Sequence, residues 1–155
     1  MIDSHCHLAD KKFHTDLEAV LARAREAGVS PFVTIADSLP ESEHCVEIAA
    51  THTDVFCTVG VHPHNAKDWT DETAESLQKL VASSKKVKAI GEIGLDYHYN
   101  FSPRDMQITA FGQQLAIAQE LNLPVVIHNR ESIADLKTVL QKFPGIRFVL
   151  HCCTK

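Results

Sequence analysis

The feature that most constrains this chain is the regular alternation of short apolar runs with helix-like segments. Six runs rich in β-branched and apolar residues recur along the sequence, with a helical pattern between neighbouring runs. Runs such as "PVVIH" and "RFVLH" are almost continuously apolar, as is typical of parallel strands covered by helices. The predicted strands span residues 2–5, 32–36, 55–60, 87–91, 125–128 and 147–151. The pattern predicts an α/β protein built from repeated βα units.

Helix starts support the same alternation. Thr15 and Glu18 have the spacing of a capping box, and Gly28 is a stop signal ten residues after Glu18. A helix around residues 77–81 is more weakly marked. The other predicted helix starts are serines: Ser38, Ser102 and Ser132.

Regular βα alternation has two main solutions, a doubly wound open sheet or a (β/α)8 barrel. No glycine-rich phosphate loop follows the first run, which counts against a nucleotide-binding open sheet. A complete barrel needs about 250 residues, whereas this chain has 155. We therefore expect an α/β fold of the TIM (β/α)8-barrel type, with only about the first six strands present, in one domain over residues 1–155. Such an arc leaves two edge strands and one flank of its core uncovered.

Composition excludes several classes of protein. No apolar run approaches the roughly 20 residues that span a bilayer, and the N-terminus has no basic region typical of a signal peptide. The five cysteines lack C-x-x-C spacing, which favours reduced thiols and a cytoplasmic protein over a redox role for adjacent Cys152 and Cys153. The net charge of −5 does not indicate nucleic-acid binding, so a polyanionic partner would require local positive charge such as bound metal ions.

Six of the ten histidines lie at or just beyond the carboxyl end of a predicted strand: His5, His7, His62, His64, His128 and His151. Carboxyl ends of parallel barrel strands meet on one face, where active sites are built. Alternate residues of a strand point the same way, so His5 and His7 share a face while Cys6 points to the other. Neutral imidazole is the commonest nitrogen ligand of divalent metals.

One carboxylate joins this set. Glu92 closes the fourth predicted strand in "AIGEIGLDY", and a carboxylate there can bridge two cations. His128 and His151 close the next two strands. A histidine pair, a glutamate and two further histidines, each at a strand end, predict a metal site if the barrel forms.

The runs "MIDSHCHL", "VGVHPH", "AIGEIGLDYHYN", "LPVVIHNRES" and "VLHC" resemble the TatD family of metal-dependent deoxyribonucleases, within the amidohydrolase superfamily. The resemblance extends in order across all 155 residues. The H-x-H pair alone would not separate this family from PHP-type phosphoesterases or other amidohydrolases, whereas the "GEIGLD" segment does.

The resemblance implies a TIM barrel with a site for two divalent ions, with Mg²⁺ expected for activity and Zn²⁺ or Mn²⁺ as alternatives. By position, His5 and His7 would hold one ion. Glu92, the expected catalytic residue, would bridge to a second ion held by His128 and His151. A family aspartate from a later strand normally completes the first ion's shell, and this sequence has no counterpart of it.

Four neighbouring residues have less certain roles. By resemblance, His62 and His64 would lie near the substrate phosphate; alternatively they are exposed histidines of a rigid turn. Arg130 would clamp a phosphate or pair with an acid on the surface. Asp96 would orient a metal ligand from outside its shell or simply shape the loop after the fourth strand.

Together these features predict a deoxyribonuclease that cleaves DNA phosphodiester bonds, releasing nucleotides from DNA ends, with a water activated by two metal ions. No G-x-S-x-G elbow competes with this chemistry. Two alternatives remain open: a barrel hydrolase of small esters or amides, and a truncated, non-catalytic fragment that binds metal more weakly. DNA is the expected partner and a membrane is not, and the sequence does not give the oligomeric state.

Overall fold

In the computed structural model, the backbone of residues 1–154 and the side chains of residues 1–151 are described. The strands are β1 (Asp3–Cys6), β2 (Phe32–Thr34), β3 (Val55–Val59), β4 (Val87–Asp96), β5 (Val125–Arg130) and β6 (Phe148–Thr154). The helices are α1 (Leu17–Glu26), α2 (Leu39–Thr51), α3 (Asp71–Ser83), α4 (Arg104–Glu120) and α5 (Ile133–Leu140). The side chains of Cys152 and Cys153 lie outside the described residues.

The six strands form one parallel sheet in the order in which they follow one another along the chain. This order has no reversal point, which a doubly wound sheet requires and a barrel lacks. The predicted barrel-type fold with six strands is therefore confirmed. Within the described sheet β1 and β6 are the edges, and apolar side chains of β6 are exposed: Phe148 by 47%, Val149 by 64% and Leu150 by 39%.

The core lies between the sheet and its helices. Each helix contributes buried apolar residues on the side that packs against the strands, as an amphipathic helix does, and full burial of one such side chain stabilises the fold by about 1.5–3 kcal/mol. The shared cluster includes Leu21, Ile48, Leu77, Leu115 and Leu136 from α1 to α5 in turn, packed with Val59, Ile90 and Ile127 of the strands. None of the described helices is both long and apolar enough to cross a membrane.

Each predicted cap residue lies one or two residues before the first residue of a helix, but only one of them makes the expected hydrogen bond. Ser38 accepts a hydrogen bond from the backbone N–H of Glu41 at 3.4 Å. The capping box at Thr15 is wrong, because α1 begins after Asp16, whose side chain makes no capping bond. The weakly marked third helix has a cap instead, since Thr70 accepts from the N–H of Thr73.

Ser102 and Ser132 stand before α4 and α5 but do not cap them. The hydroxyl of Ser102 donates to the carbonyl of His64 at 2.8 Å, and that of Ser132 donates to the carbonyl of Leu95 at 3.0 Å. Both serines therefore tie a helix start to a neighbouring segment at the carboxyl end of the sheet. A sequence pattern cannot distinguish this use of serine from capping.

Strand β4 is longer than predicted, because it continues through residues 92–96. Glu92 thus lies inside the strand, which corrects the prediction that it closes it, and Asp96 is the last strand residue rather than part of the following loop. Ile90 pairs with Val125 and Ile93 with Ile127, so β4 contains one extra residue between these pairs. Such a bulge re-aims a side chain, and here it falls beside Glu92.

Glycine makes the continuation of β4 possible. Gly94 has φ +139, and a Cβ atom there would lie 2.1 Å from the carbonyl oxygen of His128. Any other residue would therefore push β4 away from β5 at the level of the histidine. The predicted strand ended at residue 91, whereas the glycines of "GEIG" permit close contact of β4 with β5 beyond that point.

Candidate metal centre

The carboxyl ends of three adjacent strands place candidate ligands side by side. His128 of β5 pairs in register with Gly94 of β4 and with His151 of β6. Paired residues of neighbouring parallel strands point to the same face, with strands about 4.8 Å apart. The register alone therefore brings His128 and His151 together beside β4.

Glu92 lies at the middle of this group and is 4% exposed. Its Oε1 atom is 3.1 Å from Nδ1 of His128, and its Oε2 atom is 3.4 Å from Nε2 of His5. Burial favours the neutral acid, but the contacts with His128 and His5 outweigh it and hold the pKa of Glu92 well below its ordinary value. Glu92 is therefore ionised at neutral pH and can bind cations with both oxygens.

His5 offers a ring nitrogen that the protein leaves without a hydrogen bond. Within the described residues, its Nε2 is buried and has no hydrogen-bond partner. An unsatisfied buried polar atom costs about 1–3 kcal/mol. The His5 ring is held in place by stacking on the ring of His151, with centroids 3.6 Å apart. A cation between His5, Glu92 and His151 would satisfy this nitrogen, so these residues fit a metal ion.

Two sets of three side chains have ligand atoms within 4.8 Å of one another, and Glu92 belongs to both. His5 and His151 complete the first set, and His62 and His128 complete the second. Burial lowers the pKa of His62 to about 3, with His128 adding to the effect, and burial also lowers the pKa of His151. Both imidazoles are therefore neutral at pH 7, the form that binds a metal.

This grouping differs from the one that the family resemblance implied. His151 lies with His5 rather than with His128, and His62, expected near the substrate, stands in the second set. His7 follows the end of β1, and its ring lies 5.2 Å from that of His5, edge to face. His7 stays a predicted ligand that borders the site.

Asp96 is completely buried behind the second set. Its Oδ2 atom accepts hydrogen bonds from Nε2 of His128 at 3.0 Å and from Nε2 of His64 at 2.8 Å. Although burial opposes it, these bonds and the backbone N–H of Tyr99 lower the pKa of Asp96 to about 2. An ionised carboxylate only accepts, so it holds the proton of His128 on Nε2 and leaves Nδ1 facing Glu92.

The two carboxylates also affect His128 itself. Burial favours the neutral ring, but Glu92 and Asp96 on opposite sides outweigh it and raise the pKa of His128. A proton on Nδ1 and a cation at the same place are mutually exclusive. A cation bound at this set would therefore have to displace any proton on Nδ1 of His128.

A cavity of about 230 Å³ opens above Glu92. It brings together eight of the nine residues that the sequence predicted for the site, and His5 reaches the same carboxylate from β1. The residues that line it are His7, Asp37, His62, His64, Glu92, Asp96, Tyr99, His128, Arg130 and His151. Two of these residues were not predicted. Asp37 lies just beyond the carboxyl end of β2, a position that its place in the sequence could have indicated, whereas Tyr99 lies in the loop after β4 and has no such signal.

Two buried glutamines of α4, which were not predicted either, hold in place the segments that carry Asp96 and His62. Gln107 accepts from the N–H of Asp96 at 2.8 Å and donates to its carbonyl at 3.1 Å. Gln114 accepts from the N–H of Val61 at 2.7 Å and donates to its carbonyl at 3.0 Å. Each glutamine amide thus bonds both backbone groups of one residue, as a neighbouring strand would, at the carboxyl ends of β4 and β3.

Histidines at and beyond the carboxyl ends of parallel strands, grouped around the carboxylate of Glu92, define the class, a protein with a TIM-barrel-type fold and a candidate metal centre. A model of the family described as TatD related DNase matches residues 2–155. The chain belongs to this family, as its sequence motifs indicated.

Relatives of known name agree with this assignment. The protein called 3′-5′ ssDNA/RNA exonuclease TatD from Erwinia amylovora is 42% identical over 158 residues, covering 99% of this chain and 60% of the relative. The uncharacterized metal-dependent hydrolase YabD from Bacillus subtilis is 36% identical over 156 residues, covering 99% of this chain and 61% of the relative. The chain thus spans about three-fifths of the length of these relatives.

The fold has a counterpart among crystal structures. YjjV, a TatD homologue from Escherichia coli, superimposes with a TM-score of 0.91 at 30% sequence identity. The alignment covers all of this chain and 61% of YjjV. The parallel six-stranded sheet described above therefore corresponds to the equivalent part of a TatD-family barrel.

Proposed function

We propose that this protein is a metal-dependent deoxyribonuclease that hydrolyses phosphodiester bonds at DNA ends, with residues 1–155 acting as a single domain. The observation that carries the proposal is the position of Glu92, whose ionised carboxylate stands between two histidine pairs in a chain of the TatD family. The name of the Erwinia amylovora relative, an exonuclease, supports nucleic acid as the substrate.

The first set would hold one cation through His5, Glu92 and His151, and the second would hold another through His62, Glu92 and His128. Bound divalent cations would supply an activated water and neutralise the charge that develops on the phosphate. Histidine nitrogen suits Zn²⁺, whereas Mg²⁺ and Mn²⁺ prefer oxygen ligands. We keep Mg²⁺ as the expected activator and compare the three ions directly.

The remaining polar groups of the cavity would orient the substrate. Arg130 borders the cavity and supplies a fixed positive charge, which suits a phosphodiester oxygen. Its guanidinium lies 4.7 Å from the ring centroid of Tyr99, which limits its motion. Nδ1 of His62 accepts from the backbone N–H of His64 at 3.2 Å, so Nε2 is the His62 nitrogen that remains for a cation.

Asp96 would act as a positioning residue, because it touches His64 and His128 rather than the substrate.

Cys6, Cys45 and Cys57 all have free thiols, and burial raises the pKa of each to about 12. Free thiols suit a reducing compartment, so the cytoplasm is the proposed location.

The test compares a single-stranded DNA oligonucleotide with a small aryl ester, each with Mg²⁺, Mn²⁺, Zn²⁺ or a chelator. We expect stepwise shortening of the oligonucleotide with at least one of these ions, and none with the chelator. Glu92→Gln should abolish it, while Glu47→Gln, at an exposed position of α2, should not. Turnover of the ester alone would contradict the proposal and favour a hydrolase of small esters.

A further inference from the structure

Two large aromatic side chains are exposed beside the metal centre. Tyr99 is 47% and Phe101 is 57% exposed, and both lie in the loop between β4 and α4. Their rings stack with centroids 5.3 Å apart and planes 8° from parallel. We call Tyr99 and Phe101 the aromatic pair. Its rings are too exposed to be explained by core packing.

The loop that carries the aromatic pair is fixed at both ends. At its start, Oδ1 of Asp96 accepts from the backbone N–H groups of His98 and Tyr99, both at 3.0 Å. At its end, the buried hydroxyl of Ser102 donates to the carbonyl of His64. The amide of Gln107 donates to the carbonyls of Asp96 and Ser102, at 3.1 and 2.9 Å. The exposed rings are therefore presented by a rigid segment.

The aromatic pair is in direct contact with side chains of the candidate metal centre. The ring of His64 meets Tyr99 and Phe101 edge to face, at 5.6 and 4.8 Å between centroids. The guanidinium of Arg130 lies over the ring of Tyr99. A cationic group suited to phosphate thus adjoins flat, exposed π surfaces.

This juxtaposition matches the chemistry of a nucleotide, in which an anionic phosphate is joined through a sugar to a flat base. Bases stack on aromatic side chains with little dependence on sequence, because every base has a π face. In a duplex most base faces are covered by neighbouring base pairs. A strand with unpaired bases is the form that leaves them free.

We propose that the aromatic pair binds bases of single-stranded nucleic acid by stacking, next to the phosphate held at the metal centre. The inference rests on the proposed nuclease function and names the side chains that would contact the bases of the strand. Tyr99 would set the position of the base relative to Arg130, and Phe101, the more exposed ring, would provide most of the stacking surface.

The experiment measures binding of two oligonucleotides by fluorescence anisotropy in the presence of Mn²⁺. One is a thymidine 10-mer with phosphorothioate linkages, which slow cleavage, and the other is its abasic counterpart with the same charge. The readout is the ratio of the two affinities, which cancels the contribution of phosphate binding. Variants Phe101→Ala and Tyr99→Ala remove a ring, Phe101→Trp keeps one, and Ile133→Ala changes an exposed apolar residue of α5.

We expect the unsubstituted protein to favour the thymidine oligomer. Phe101→Ala should lower the affinity ratio by about tenfold, in line with the contribution of stacking measured in other proteins. Tyr99→Ala should also lower the ratio, while Phe101→Trp and Ile133→Ala should preserve it. Thermal unfolding of each variant checks that the fold is retained, as expected for exposed positions.

Equal affinity for the two oligonucleotides, or an unchanged ratio in Phe101→Ala, would overturn the stacking proposal and leave the nuclease proposal standing. The protein could instead favour the thymidine oligomer through Phe101 and yet shorten no oligonucleotide. This result would support stacking and overturn the nuclease proposal. Binding of neither oligonucleotide would overturn stacking as well.

Discussion

The imidazole rings of His5 and His151 stack face to face, with centroids 3.6 Å apart and planes 10° from parallel. His5 belongs to β1 and His151 to β6, the two edges of the described sheet. Strands at opposite edges of a flat sheet could not touch, so the contact shows how strongly the sheet curls. The curl places both rings against Glu92, which belongs to a strand between them.

Metal binding should stabilise the protein through His5. A cation present at a hundred times its dissociation constant adds about 2.7 kcal/mol, which corresponds to roughly 5–10 °C in melting temperature for a domain of this size. We expect Mn²⁺ or Zn²⁺ to raise the melting temperature of the unsubstituted protein. His5→Ala should lose most of this shift, and calorimetric titration should show at least about tenfold weaker binding of the first ion.

His44→Ala is the matched control for His5→Ala, because His44 is a half-buried histidine of α2 whose ring meets that of His14 rather than the metal centre. This variant should retain the full shift with metal. An equal metal-induced shift in His5→Ala would remove His5 from the ligand set.

Asp96→Asn should weaken metal binding without removing a ligand. The carboxylate accepts from His128 and His64 with one oxygen and from the N–H groups of His98 and Tyr99 with the other. The amide has only one oxygen, so its NH₂ group must face one of these pairs of donors, and the orientation of His128 is no longer fixed. Loss of such a supporting carboxylate costs about 10–100-fold in metal affinity in other proteins. Calorimetric titration with Zn²⁺ measures the affinity directly.

Asp68→Asn serves as the control for Asp96→Asn, since Asp68 is exposed at the end of the 3-10 turn Pro63–Asp68. It should bind metal as the unsubstituted protein does. Far-UV circular dichroism should be the same for both variants, because a general loss of structure would explain weak binding without any role in orientation. Unchanged affinity in Asp96→Asn would contradict the positioning role.

Much of the fold could be predicted because parallel strands leave a clear pattern in sequence. Buried strands require apolar runs, and polar side chains such as His128 stand out where such a run ends. The prediction was wrong at β4, where the strand was expected to end at residue 91 but continues to Asp96. Whether Gly94 ends a strand or lets it approach β5 depends on the carbonyl of His128, which lies far away in sequence.

The sequence predicts which residues belong to the site more fully than it predicts which of them would share a cation. The strand-end rule selected His5, His62, His128 and His151, but which of them share a cation depends on the curl of the sheet and on the turn at Pro63–Asp68. Neither has a local pattern in the sequence. The roles of these residues as metal ligands stay predictions until metal is titrated.

The buried glutamine Gln114 should matter for stability. Its side chain satisfies both the N–H and the carbonyl of buried Val61. In Gln114→Leu both groups lose their partner in the protein interior, and each unsatisfied group costs about 1–3 kcal/mol. We expect a loss of roughly 3 kcal/mol in the free energy of unfolding, measured by urea denaturation. Gln119→Leu, at an exposed position of the same helix, should change it by less than about 0.5 kcal/mol.

Glu41 should make stability depend on pH near neutrality. Partial burial, together with the charge of Asp37, raises the pKa of Glu41 from 4.5 to about 7. The folded state therefore holds a proton that the unfolded chain releases above pH 4.5, so stability falls as the pH rises from 4.5 to 7 and stays level above pH 7.

The variant Glu41→Gln keeps a neutral side chain at every pH. In urea denaturation with chelator it should match the unsubstituted protein at pH 4.5. At pH 8 it should be more stable by on the order of 1 kcal/mol, a value reduced for solvent screening. Glu43→Gln, exposed on the same helix, should show no such difference. The same difference at both pH values would show that the charge of Glu41 is not responsible, because only its ionised form is destabilised by Asp37.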